Sequence, residues 1–373
     1  MCNMVKSNQI FAMTTDPVYI GTGGYTIGRV DNTIVRDPIT KIPKIPGSSL
    51  AGVWRYYTVL EIYNYIKDKN LEGREGKNVK DIFNNNAHKW INEYEGNKYI
   101  KLKCAGQDDE PNKTLEESKN SKTGHCGYCL VCKGFGFSKK DKSWQGLIFF
   151  SDLNILFFPV FTMYGTKWIT TVSKLKEVEI NGITEPTDNK ILTKNGDEGH
   201  INLGWLYLEV GESHSVSLNG KIDFESFRLN DTDIVIVPES LFSQIVNSNL
   251  EVRTSVSIDP ITGVAKEGAL FTSEAIPRGT ILSGNIRIFD KSGFNGIDEK
   301  IKDLPDSETL ECALKESKHF FETLGIGGMT TRGFGRIKIQ FGEEIENCNK
   351  KVNSPDDKKP QDEQQTNIGG GQK

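Results

Sequence analysis

Nowhere in the 373 residues is there a run of about 18 apolar side chains, which argues against a membrane span. The N-terminus, MCNMVKSNQIF, lacks the apolar core of a secretory signal, so a cytoplasmic protein is expected. An excess of positive charge is missing as well. Lys and Arg total 46 against 50 Asp and Glu, a net charge of −4, whereas many nucleic-acid binders are strongly basic. No His, Asp and Ser stand at the spacing of a recognisable hydrolytic set. Cysteine is sparse, seven in all, and three of the seven are tightly clustered. That pattern reads as metal chemistry in a reducing compartment and not as disulfides.

What is present is length for a proper core and abundant glycine, and the chain centres on residues 21–55, GTGGYTIGRVDNTIVRDPITKIPKIPGSSLAGVWR. Gly21, Gly23, Gly24 and Gly28 let the backbone turn and pass close to another molecule. Asp31 lies between Arg29 and Arg36, and Asp37 reads as a brace for the loop. Pro43, Pro46 and Gly47 stop extended structure, and Ser48 and Ser49 offer N-caps to a helix. Leu50, Val53, Trp54, Tyr57 and Leu60 recur at helical spacing, which predicts a helix from Ser49 to about Lys69. Free amides, two hydroxyls and Arg55 at a helix start make a natural phosphate seat. The charge here is local: Arg29, Arg36, Lys41, Lys44 and Arg55 against Asp31 and Asp37 give +3 within an acidic chain.

Upstream, residues 9–20 alternate as a first strand. Downstream, residues 70–125 are polar and poor in aliphatics and read as a partly mobile insertion without a core of its own. It closes on HCGYCLVCKGFGFS, where Cys126, Cys129 and Cys132 form a CxxCxxC run. Two-residue gaps let three thiolates converge on one ion. Cys104 or His125 supplies the fourth ligand, and Cys104 is better placed because His125 adjoins Cys126. Structural Zn2+ is the expected occupant, pinning the base of a loose insertion, with an iron–sulfur cluster as the rival. Residues 146–172 are the most apolar part, with core strands at 148–150 and 153–161 and a structural Asp152 between them. The texture loosens over 177–233. Residues 233–238 form a short buried strand.

Residues 251–277 then read as a hairpin whose tip, around Asp259-Pro260 and Thr262-Gly263, carries Lys266. A helix over 307–324 leads into GIGGMTTRGFGRIKIQF. Dinucleotide and P-loop sites need strand, glycine loop, then helix, and here the order is helix, glycine loop, strand. The lysine–serine ending of a P-loop is absent too. The tail from 346 to 373 has almost no apolar residues and is expected to be disordered.

Asp-Asn, Arg-Asp-Pro-x-Thr, Pro-x-Ile-Pro-Gly-Ser-Ser-Leu-x-Gly and the closing Arg55 resemble the N-terminal signature of RAMP-superfamily backbone subunits. These belong to type III, or the related type VII, CRISPR effector complexes of antiviral defence. Gly325, Gly327, Gly328, Arg332, Gly333, Gly335 and Arg336 carry the same resemblance at the other end. Cysteine knuckles before a Gly-Phe-Gly segment also occur in the family. The resemblance covers about residues 9–60, 126–172, 250–282 and 307–341, and leaves 70–125 and 177–233 unmatched.

It implies an α+β fold: a modified ferredoxin-like (RRM-like) βαββαβ palm, one domain over 1–345, with a zinc-bound insertion (70–135), a second insertion (177–233) and a thumb hairpin. The implied partners are a CRISPR guide RNA, a target RNA, further copies of the chain and other effector subunits. The implied RNA-binding residues are Gly23, Gly24, Arg29, Ser48, Ser49, Arg55, Arg253, Lys266, Gly327, Gly328, Arg332, Gly333 and Arg336. The metal ligands are Cys104, Cys126, Cys129 and Cys132. At the position of Asp31 the family carries an aspartate that supports Mg2+- or Mn2+-dependent cleavage of target RNA. Related assemblies leave cutting to a separate nuclease, and the rival of another class is an enzyme holding a small phosphate or nucleotide in its glycine loops.

Overall fold

The computed structural model describes residues 4–23, 30–70, 74–107, 110–120, 124–187, 189–194, 199–218, 222, 224, 229–294, 303–342 and 348. In chain order these form β1 (Val5–Thr14), β2 (Lys44–Ile45), α1 (Gly47–Asn64), α2 (Val79–Ile82), α3 (Lys89–Glu93), α4 (Leu115–Asn120) and α5 (Leu130–Phe135). Next come β3 (Phe137–Ser138), β4 (Ser143–Trp144), β5 (Ile148–Phe150), β6 (Leu153–Thr162), β7 (Gly165–Thr170) and α6 (Val172–Glu177). Then follow β8 (Lys190–Thr193), β9 (His200–Leu203), β10 (Leu206–Ser213), β11 (Ile234–Ile236) and α7 (Glu239–Ser248). The chain continues through β12 (Glu251–Ile258), β13 (Ala265–Ala275), β14 (Ile281–Phe289), α8 (Ser307–Ser317), α9 (Phe320–Thr323) and β15 (Ile337–Phe341).

One large mixed sheet runs β15-β1-β14-β6-β7-β11-β8-β10-β9, with β2 paired to β6 and β5 to β14. Each neighbouring pair among β15, β1, β14 and β6 is antiparallel. The chain passes from β1 to β6 through α1, and from β14 to β15 through α8. Successive side chains of a strand point to opposite faces, and β1 serves two cores this way. Ile10 and Ala12 join α1 and α8 on one face, while Phe11 and Met13 join Val172, Leu175 and Ile234 on the other. That is why residues 10–13, IFAM, are an unbroken apolar run where alternation was expected.

Strand β1 stops at Thr14, six residues before the expected end, because Thr15 and Asp16 donate their amides to the carbonyl of Arg336 instead of continuing the ladder. Helix α1 spans Gly47–Asn64, starting and ending earlier than expected. Its buried anchor is Trp54, whose indole N–H reaches the Leu314 carbonyl at 3.1 Å and whose ring meets Phe321 edge-on at 5.1 Å. The expected helix over 307–324 is broken between α8 and α9.

The described parts of both unmatched segments pack with the rest of the chain. Strands β8, β9 and β10 lengthen the sheet. Val79, Ile82, Phe83, Trp90, Ile91 and Ile100 of the first insertion pack into the core shared with α1, so this insertion has no separate core and borrows the main one. Against the expectation of no disulfides, Cys312 of α8 is bonded to Cys348. The rest of the tail, and Gly24, Gly28 and Arg29, lie outside the described residues.

The insertion is tied to α1 by charge as well. Glu61 is buried, and its carboxylate accepts from His88 Nε2 at 3.2 Å and His319 Nε2 at 3.0 Å. Glu316 and the Tyr65 hydroxyl also face His88, at 3.6 and 3.2 Å. The Glu61 hydrogen bond raises the His88 pKa above 6.5. Burial pushes Glu61 up, but the two histidine hydrogen bonds prevail and hold it below 4.5. The cluster therefore stabilises fully between about pH 4.5 and 6.5. Its contribution fades as pH rises through the raised His88 value or falls through the lowered Glu61 value. His88→Gln is expected to cost about 1.5–3 kcal/mol within that window, the worth of a hydrogen bond to a charged group. Thermal melts across pH check it: the variant should lose the wild type's decline on the alkaline side.

Candidate nucleic-acid interface and metal centre

Four buried sulfurs converge beside α1. Cys104 comes from the 3-10 turn Leu102–Ala105, Cys126 precedes α5, Cys129 is its N-cap, and Cys132 lies in its first turn. The sulfurs all lie within 4.8 Å of one another, and Cys126 Sγ is 3.9 Å from Cys132 Sγ. A tetrahedron with metal–sulfur bonds of about 2.3 Å has edges of about 3.8 Å, so the donors fit one tetrahedral ion. Backbone amides point at the sulfurs: Cys129 N and Tyr128 N donate to Cys126 Sγ, Cys132 N to Cys129 Sγ, and Lys101 N to Cys104 Sγ. Burial pushes the Cys126 and Cys129 thiols up, while at Cys132 hydrogen bonds from the neighbouring thiols outweigh burial and hold the thiol down; a bound cation would favour the thiolate form. His125 directs its Nδ1 to the Arg55 guanidinium at 2.9 Å. Cys104 completes the cluster of four sulfurs.

Arg55 is occupied here, not at a phosphate seat. It donates to the carbonyls of Cys104 and Gly136, both at 2.8 Å, as well as meeting His125. At the α1 N-terminus the N-cap is Pro46, with no side-chain cap, so neither Ser48 nor Ser49 caps the helix. Asp152 takes the first amide, accepting from Gly47 N at 2.8 Å and pairing with Lys44 at 2.6 Å. Ser48 is exposed and Ser49 half-buried beside it. Asp37 braces its own turn through Ile39 N, Thr40 N and Thr40 Oγ1.

The Asp31 loop lies along the foot of the β12–β13 hairpin. Asp31 Oδ2 accepts from the Thr272 amide at 2.8 Å and its hydroxyl at 2.9 Å. Those two donors hold the exposed Asp31 carboxyl below the usual carboxylate range. Along the same line Asn32 N donates to the Thr272 carbonyl and Glu274 N to the Asn32 carbonyl. Arg36 does not face Asp31: it binds Glu274 at 2.6 Å and Asn247 at 2.9 Å. The hairpin foot also meets the glycine loop. Arg253 donates to the Gly333 carbonyl at 3.1 Å, pairs with Glu251 and lies 4.7 Å above the Phe334 ring. Lys266 is exposed near the hairpin tip.

The loop 325–335 uses its glycines to approach residues 17–20. Gly328 N donates to Tyr19 O and Gly335 N to Pro17 O. At Gly327 (φ +88) a Cβ would sit 2.3 Å from the Tyr19 carbonyl, and at Gly335 (φ +90) 2.4 Å from that of Ile326. Only glycine fits either place. Met329 also adopts a left-handed φ of +59, at a cost on the order of 1 kcal/mol that the packing must overcome. Arg336 pairs with Asp16, and Arg332 and Gly333 are exposed. The Asp31 loop, the hairpin foot and the glycine loop are thus bonded together. The pairing of Asp31 with Thr272, 241 residues away, left no mark in the sequence.

Together these define an α+β protein with a hairpin and glycine-loop face on one large sheet and a four-cysteine centre behind it. The family model of the RAMP superfamily matches residues 11–338, and the chain belongs to that superfamily. Over 60 residues it is 37% identical to the CRISPR system Cms endoribonuclease Csm3 of Methanothermobacter thermautotrophicus, a match that spans 16% of this chain and 24% of that relative's length. The fold is similar to that of a chain in the type III-B Cmr-beta complex in its apo state, with a TM-score of 0.51 at 15% identity, covering 90% of this chain and 96% of the other. The same complex bound to cognate target RNA gives 0.51 at 15% identity, with 90% and 97% covered. No helix among the described residues is long and apolar enough to cross a membrane.

Proposed function

We propose that the protein is a backbone subunit of a type III, or related type VII, CRISPR effector complex. Copies of the chain polymerise along a guide RNA and hold the guide–target duplex. One observation carries the reading: in a RAMP-superfamily chain, the Asp31 loop, the hairpin foot and the glycine loop are bonded into a single exposed face. The order β15-β1-β14-β6, with α1 and α8 as the two crossovers, supports a ferredoxin-like βαββαβ palm and one domain over residues 1–345. The β12–β13 hairpin is its thumb. Phosphates meet Ser48, Ser49, Lys266, Arg332 and the backbone of Gly23, Gly327, Gly328 and Gly333, largely without sequence preference. Arg253 and Arg336 brace those loops through Gly333 and Asp16, while Arg55 braces the four-cysteine segment. Zn2+ fills the four-cysteine centre.

For cutting, the 2′-hydroxyl oxygen of a splayed target nucleotide attacks the adjacent phosphorus as the P–O5′ bond breaks. The products are a 2′,3′-cyclic phosphate and a 5′-hydroxyl, the proton lost at O2′ being matched by one gained at O5′. Because its pKa is lowered, Asp31 stays ionised and is a weak proton acceptor, better suited to holding Mg2+ or Mn2+ than to acting as the base. Asp31 would hold the divalent ion, which would supply neutralisation of the charge that develops in the cleavage. A second reading is favoured by the Thr272 contacts: Asp31 latches the loop to the thumb, and the backbone only holds RNA for a separate nuclease.

Purified with its neighbouring subunits, the protein is expected to carry a short repeat-derived RNA, identified by sequencing. Lys266→Ala and Arg332→Ala should each weaken RNA binding about equally across sequences and reduce the salt slope by about 1. Absence of such RNA, together with mononucleotide binding that Gly327→Ala abolishes, would establish the small-phosphate reading instead.

A further inference from the structure

A cavity of about 780 Å³ opens between the cysteine-rich insertion and the segment before α8, away from the hairpin and glycine-loop face. It is of the size and kind that takes a small ligand. Two aromatic pairs line it: Tyr99 with Tyr128, ring centroids 5.2 Å apart, and Trp144 with Phe294, 6.1 Å apart. The walls are held from behind. Tyr94 donates its hydroxyl hydrogen to the carbonyls of Tyr128 and Asp303, and the Trp144 indole donates to the Lys133 carbonyl at 2.8 Å.

The charges on the rim are unevenly committed. Glu93 pairs with Lys89, Glu95 with Lys98, and Asp306 caps α8 through Thr309 N. Lys133 lies 5.2 Å above the Trp144 ring, near an exposed Lys142. Lys133 and Lys142 both line the cavity beside the Trp144 indole, a place for an anion attached to a flat ring.

We propose that this cavity binds one nucleotide, its base stacked on the aromatic walls and its phosphate at Lys133 and Lys142. The nucleotide is either free or one residue of an RNA strand that passes this face. The site is separate from the proposed guide and target grip. The test uses the full chain and two probes, AMP and heptauridylate, with adenosine and inorganic phosphate as controls, read by tryptophan fluorescence and calorimetry. Saturable binding of AMP, weakened about tenfold by Lys142→Gln and by Trp144→Ala, is expected. Lys142 is exposed, so its variant keeps the test valid if Trp144→Ala does not fold. AMP binding with no gain for heptauridylate assigns a free nucleotide, and a tenfold gain that Lys142→Gln removes assigns the strand. No binding of either probe at millimolar concentration, or binding indifferent to Lys142→Gln, overturns the proposal. Guide RNA that still co-purifies in that event leaves the backbone reading standing.

Discussion

Removing zinc, or replacing Cys126 with Ser, is expected to collapse cooperative folding of the cysteine-rich segment and to weaken α1 with it. Elemental analysis should find about one zinc per chain, as in a closed four-ligand site. Binding at such sites is worth about 10–16 kcal/mol in small zinc-binding peptides, comparable to the whole net stability of about 5–15 kcal/mol of a domain. The sequence places the ion at the base of a loose insertion, where its loss would stay local. The structure argues otherwise. All four cysteines belong to the core that contains Trp54 and Leu50, and Arg55 ties Cys104 and Gly136 directly to α1. Four apposed thiols with no cation would leave Arg55 bracing a segment without a centre. Melting of wild type with and without a strong chelator, beside Cys126→Ser, checks this. Iron in a coloured protein, or a variant with unchanged melting and metal content, would sink the assignment.

What the sequence made legible was chemistry written over a few residues. The two-residue gaps of CxxCxxC brought three sulfurs together, and the adjacency of His125 and Cys126 pointed to Cys104 as the fourth. The turn around Asp259 was equally local: its carboxylate accepts from Ile261 and Thr262 amides, as an Asp-Pro turn predicts. Asp37 and Asp152 were read as structural and bond as structural groups do. Pairings across hundreds of residues were not legible. Glycines suited to close approach do not say what they approach, and Gly327 approaches the chain's own Tyr19. Arg55 has helical spacing but no visible sign that it points inward. Short β8, β9 and β10 give too few alternations to stand out from loop, so the extension of the sheet went unseen. The Cys312–Cys348 bond joins a helix to a polar tail whose composition predicts no order.

Target RNA added with magnesium or manganese to the assembled guide complex is expected to be cut at regular intervals, one cut per subunit, and Asp31→Ala should abolish the cuts. A positioned group of this kind contributes about 10²–10⁴ in rate, so the loss should be nearly complete on a gel. The control lies in the same hydrogen-bond pair. Thr272→Val removes the hydroxyl that Asp31 Oδ2 accepts from at 2.9 Å but keeps the backbone amide at 2.8 Å. If Asp31 serves the chemistry, Thr272→Val should cut slowly and Asp31→Ala not at all. If Asp31 is only a latch between loop and hairpin, both variants should loosen RNA binding in proportion and leave any cutting rate at saturating target alike. Asp31→Asn separates the two further. It keeps an oxygen for the Thr272 donors and so preserves the latch, but removes the negative charge that would hold a divalent ion. Cuts that survive Asp31→Asn, or a target left whole by the wild type while guide and target stay bound, would identify a scaffold whose nuclease is another subunit.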